Sequence, residues 1–94
     1  MEPTIDIIKH GGKRPAERFM REKLHSSIVI SCLSVKTPEG FAVEIADKVC
    51  DSVVAWLENR PVVTSGDIRV VASRQFKLLH PDAAYIYEHN KVII

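Results

Sequence analysis

Residues 37–60 read TPEGFAVEIADKVCDSVVAWLENR, and the recurrence of their apolar positions decides what kind of fold this chain makes. Phe41, Ala42, Ile45, Val49, Val53 and Trp56–Leu57 return every three to four residues, while Glu44, Asp47, Lys48, Asp51 and Glu58 fall on the other side. That period predicts an amphipathic helix over about 38–59. Thr37 before Pro38 has the pattern of an N-cap followed by proline at the first helical position, where no backbone N–H is needed. Asn59-Arg60-Pro61 closes the segment.

Toward the C-terminus, Thr64 or Ser65 opens a further helix over about 64–79, with Asp67 in its first turn facing the positive end of the helix dipole. Its buried stripe is expected to be Ile68, Val71–Ala72, Gln75–Phe76 and Leu79. His80-Pro81-Asp82 reads as a cap region that restarts the chain. Ala83, Ala84, Ile86, Tyr87, Asn90 and Ile93–Ile94 then outline a helix over about 81–92, whose final Val-Ile-Ile could equally fray or pair as a strand. Toward the N-terminus, Leu24, Ser27–Ile28 and Ser31–Cys32 repeat at helical spacing, with Val29, Ile30 and Leu33 widening the stripe, over about 20–34. Before them comes a short run with isoleucine at 5, 7 and 8, a His10-Gly11-Gly12 turn signal, and a returning segment, which together predict a β-hairpin over about 4–19. The expected fold is mainly α: a four-helix bundle capped by an N-terminal β-hairpin, in one domain spanning 1–94.

Length and composition narrow the function. Ninety-four residues, 46% apolar and 27% charged, suit a single modest core and leave little room for a large catalytic cavity. A net charge of +1 does not suggest a polyanion-binding face. Cys32 and Cys50 lie in apolar runs with no metal-binding spacing and read as small buried hydrophobes in a reducing compartment. No signal peptide or 18-residue apolar stretch is evident, so a cytoplasmic protein without membrane contact is expected. The four histidines sit beside no nucleophile at a motif spacing, and no HExxH or paired-carboxylate pattern occurs, so neither an enzyme nor a metal site is expected.

The unusual feature is local. Lys9, Lys13, Arg14, Arg18, Arg21 and Lys23 gather six of the 13 basic residues into positions 9–23, against Glu17 and Glu22 alone. Gly11-Gly12 lets backbone amides approach a ligand closely, Lys23 sits in the first helical turn, and a helix N-terminus favours phosphate. Phe19 or Met20, at the corner between strand and helix, supplies an apolar surface on which a base could rest. Phe19 reads more simply as the plug joining flap to bundle.

Four segments in order resemble the ATP-cone family. Ile7-Ile8-Lys9-His10-Gly11-Gly12 followed by Phe19-Met20-Arg21-Glu22-Lys23-Leu24 is similar to its opening. Residues 42–49 (AVEIADKV) resemble its second-helix segment, Val63-Thr64-Ser65-Gly66-Asp67-Ile68 its "VTSxDI" helix start, and Ala83-Ala84-Tyr85-Ile86-Tyr87 its closing segment. The resemblance covers about residues 5–90. It implies a helical bundle under a hairpin lid that binds ATP or dATP without hydrolysis and regulates oligomeric state or a partner's affinity. It further implies Lys9 and Lys23 at phosphates or ribose, Glu17 on the adenine-recognising strand, Thr64 beside base or sugar, and Arg69 within reach of the phosphates. His10 and Met20 fall in the same site, and magnesium is the usual companion of a bound triphosphate.

The chain departs from the family pattern in reading Lys-His-Gly-Gly where Lys-Arg-Asp-Gly is usual, in placing Met20 where Asp or Asn is common, and in offering only Lys91 beyond the closing tyrosines. Lys13 and Arg14 are expected to stand in for the missing arginine. The chain is expected to act alone, without an effector domain, through self-association or a partner such as an enzyme of nucleotide metabolism. Trp56, Tyr85, Tyr87, Val92, Ile93 and Ile94 are available for such contacts, with ordinary core packing the favoured role for Trp56 and an open alternative for the C-terminal residues. Two alternatives stand beside this reading: a small helical DNA-binding protein, and an adaptor of the same fold without a ligand.

Overall fold

The computed structural model describes residues 6–8, 17–60 and 62–89, with backbone alone for 6–8 and 17–18. Four helices dominate: α1 (Arg21–Ser34), α2 (Glu39–Leu57), α3 (Ser65–Leu79) and α4 (Pro81–His89). Each begins within a residue of its expected start, and α4 is described as far as His89. Three short strands, β1 (Asp6–Ile8), β2 (Glu17–Arg18) and β3 (Val62–Thr64), form a sheet in the order β2-β1-β3. Helix α1 packs on α2 and α4, and α3 packs on the same two, so the bundle closes as a ring of neighbours.

The core follows the helical stripes. Leu24, Ile28 and Cys32 of α1 meet Ala42, Ala46, Val49, Cys50, Val53 and Leu57 of α2. Ile68, Ala72 and Phe76 of α3 and Ala83, Ala84 and Tyr87 of α4 complete it. The small residues on α2 and α4 let the helices approach closely. Ser27 and Ser31 are buried in the same stripe, and each satisfies its hydroxyl by donating to the carbonyl four residues back, on Lys23 and Ser27. Both cysteines are buried and outside any disulfide, as their apolar surroundings suggest.

Several expectations fail at the margins. Phe41 is 62% exposed, because the buried row of α2 starts at Ala42 and leaves its neighbour outward. Leu79 ends α3 on the solvent side, and Ile30 and Leu33 lie on the outer side of α1 instead of widening its buried stripe. Strand β3 has no counterpart in the sequence pattern, in which Asn59-Arg60-Pro61 closes one helix and Thr64 or Ser65 opens the next. Val63 is buried while Val62 and Thr64 are exposed, and three residues are too few to display that alternation in a sequence. The partner of β3 is β1, far upstream, in parallel register with Asp6↔Val62, Ile7↔Val63 and Ile8↔Thr64. On its other edge β1 pairs antiparallel with β2, Asp6↔Arg18 and Ile7↔Glu17. The β-hairpin expected over 4–19 is not established: only the short 6–8 and 17–18 segments pair, and residues 9–16, which would join them, lie outside the described residues.

The expected N-cap of α2 also needs correction. Pro38, not Thr37, occupies the capping position, with no side-chain cap bond. The Thr37 hydroxyl instead lies 2.8 Å from His80 Nε2 and joins the α1–α2 turn to the α3–α4 turn. A tertiary partner has taken the hydroxyl from the local backbone. His80 is itself the C-cap of α3, donating its N–H to Phe76 O, as its place before Pro81 suggests.

Candidate functional site

The sheet organises one end of the molecule. Because β3 runs parallel to β1 and continues without a break into α3, Ile8 lies opposite Thr64, the residue that caps α3. Strand β1 therefore ends, at Ile8, beside the first turn of α3. Strand β2 runs antiparallel to β1, so Ile8, the last residue of β1, and Glu17, the first of β2, lie at this same end. Glu17 and Val63 flank Ile7 on opposite sides, two strand spacings or about 10 Å apart.

At that end Thr64 and Asp67 form a complete capping box. The Thr64 hydroxyl accepts from Asp67 N–H at 3.0 Å, and the Asp67 carboxylate accepts from Thr64 N–H at 3.1 Å. This fixes the direction of α3 and anchors Thr64, leaving the Thr64 side chain on the surface. One turn further, Arg69 reaches toward α4. Its Nη2 donates to Tyr87 O at 2.7 Å, and its guanidinium lies 4.8 Å from the Tyr87 ring centroid. Burial raises the Tyr87 phenol above its ordinary range, with the Arg69 charge acting in the opposite direction.

The other expected site residues are distributed unevenly. Phe19 is 2% exposed and packs in the core, so it is the plug between sheet and bundle, with no free face for a base. Met20, beside it, is 38% exposed and forms the extended N-cap of α1. Lys23 is exposed in the first turn of α1, but β2 leaves the sheet at the Asp6 end, opposite the end where α3 begins. Lys9, His10, Lys13 and Arg14 lie outside the described residues, as does the side chain of Glu17.

Among the residues available for contacts, Trp56 packs against the core as favoured, whereas Tyr87 turns out to be buried. Tyr87 is a core residue, 4% exposed and 5.9 Å from the Phe76 ring. Trp56 packs against the core with the Arg60 guanidinium 4.2 Å above it, whereas Tyr85 is exposed beside His89. Val92, Ile93 and Ile94 lie outside the described residues.

Sequence reasoning missed the polar seam between α1 and α2. There Arg21 donates to Asp51 at 2.8 Å and His25 Nε2 lies 2.8 Å from Asp47 Oδ1. It also missed an open groove of about 650 Å³ along α3, to which Arg69 contributes. Exposed apolar residues off the core stripe, Val70 and Leu78, were the available signal for the groove. Among the described residues no helix is long and apolar enough to cross a membrane.

No family model matches the chain, and neither a curated protein nor a solved structure matches it.

Proposed function

We propose that the chain is a nucleotide-binding regulatory domain of the ATP-cone kind, holding ATP or dATP under a hairpin lid without hydrolysing it. One observation carries the reading: the Ile8↔Thr64 register. Ile8 ends β1 beside the first turn of α3, with Arg69 one turn along that helix, and Lys9, His10, Gly11, Gly12, Lys13 and Arg14 are the residues that follow Ile8 in the sequence. A compact polyanion favours cations and glycines next to a helix N-terminus, and the sequence after Ile8 together with the start of α3 supports that reading. Asp67 works against it, since a phosphate beside the capping carboxylate is repelled; the loop cations outnumber that one charge. The occupied lid would then signal through self-association or a partner protein.

The adaptor reading draws on a different observation, the engagement of Arg69 by the carbonyl and ring of Tyr87. Thermal melting separates the two. A ligand that binds only the folded chain at about a hundred times its Kd stabilises it by about 2.7 kcal/mol. In a domain of this size that corresponds to a rise in Tm on the order of 10 °C. ATP or dATP at millimolar concentration should produce such a rise, and Lys13→Ala/Arg14→Ala should diminish it. Unchanged melting with both nucleotides would overturn the proposal and leave the adaptor.

A further inference from the structure

The groove along α3 shares Arg69 with the proposed nucleotide end, but its exposed apolar residues Val70 and Leu78 belong neither to that end nor to the core. Gly66, Val70, Arg74 and Leu78 stand four residues apart and form one ridge of the helix, with Arg69, Ser73 and Lys77 in the row beside it. From Gly66 to Leu78 the ridge runs about 18 Å, at roughly 1.5 Å per residue. Val70 and Leu78 are 55% and 76% exposed. Across the groove α4 contributes Glu88, whose carboxylate lies 3.3 Å from Lys77 Nζ. Three cations thus face one carboxylate that already has a partner. Arg74 is exposed and bonds to no described residue.

We infer that this groove is a docking surface for an acidic amphipathic helix of a partner protein. Its aliphatic residues lie on Val70 and Leu78, and its carboxylates meet Arg74 and the outer rim of Arg69. The length fits about three helical turns, whereas a free small anion would leave the apolar ends of the ridge uncovered. Phosphates of a nucleic acid are disfavoured because apolar side chains alternate with the cations and Glu88 lies among them. A second copy is the poorer fit, since the acidic helix this chain could offer, α2, has Asp47 and Asp51 engaged by His25 and Arg21 and carries Lys48 on the same side. The inference does not depend on nucleotide binding.

The test uses a fluorescent synthetic helix of about 16 residues, roughly 24 Å long, with leucines at i, i+4 and i+7 flanked by glutamates, and no nucleotide present. Anisotropy should show saturable binding that Arg74→Glu and Leu78→Glu each weaken about tenfold or more. Glu44→Lys on the outer side of α2 should leave binding unchanged, and a lysine-flanked peptide should bind only the Arg74→Glu chain measurably. All three substitutions are at exposed positions, and unchanged melting would show that the fold is kept. Absence of saturable binding, or equal binding by all variants, would overturn the inference. So would self-association, or retention of duplex DNA, that Arg74→Glu abolishes while the peptide fails to bind.

Discussion

Lys36 has a backbone conformation that its side chain does not favour. Its φ of 64° is left-handed, where a Cβ crowds the carbonyl. The conformation is imposed by the end of α1: Thr37 N–H donates to Cys32 O at 3.0 Å and Lys36 N–H to Leu33 O at 2.9 Å. Those two bonds close a Schellman motif with Lys36 at the position glycine usually takes. Lys36→Gly should therefore stabilise the fold by about 0.5–1 kcal/mol, and β-branched Lys36→Val should destabilise it by at least as much, both measurable by urea denaturation. Equal stability of the two variants would contradict the motif. Nothing in the sequence marks this helix end, because the residue there is not the one the geometry prefers. The Thr37 hydroxyl was legible as a polar cap but not as the partner of His80, which lies in a turn far along the chain.

Among the elements, α3 carries the most determined boundary. Thr64 and Asp67 satisfy each other's N–H groups, and the parallel pairing of β3 with β1 fixes where the helix starts. Thr64→Ala should cost about 1 kcal/mol, and Asp67→Ala a comparable amount. The double variant should lose less than the sum of the two, because each single change already dissolves part of one reciprocal unit. Strict additivity by chemical denaturation would refute the box. Thr64 and Asp67 were readable as helix openers because capping chemistry is local. β3 was not readable, because Val62–Thr64 gains its identity from Asp6–Ile8, and three residues hold no period. The groove escaped for a related reason: Val70, Arg74 and Leu78 each look like ordinary solvated helix positions, and only their common ridge gives them meaning. The long helices were legible because α1, α2 and α3 repeat their stripe over several turns.

For the molecule as a whole, burial sets the alkaline limit of stability. The Cys32 thiol is pushed from 9.0 up to about 11 by burial, and the Tyr87 phenol is raised for the same reason. A raised acid stays protonated in the folded chain after its unfolded counterpart has ionised, so the unfolded state releases protons first. Stability should be constant with respect to Cys32 below about pH 9 and fall between there and about pH 11, by on the order of 2 kcal/mol. Cys32→Ala should flatten that decline while lowering stability at neutral pH, and a decline that persists unchanged would contradict the assignment. At this scale the sheet register sets the end of β1 beside the start of α3, and the nucleotide reading is a proposal drawn from that register and the cationic sequence after Ile8. Its most direct test is a titration of the isotopically labelled chain with ATP, followed through backbone amide resonances. The expected result is saturable shifts concentrated at residues 9–16 and 64–69, with the α1–α2 seam around Asp47 and Asp51 unmoved. Absence of saturable shifts at millimolar ATP, or shifts confined to that seam, would contradict the account.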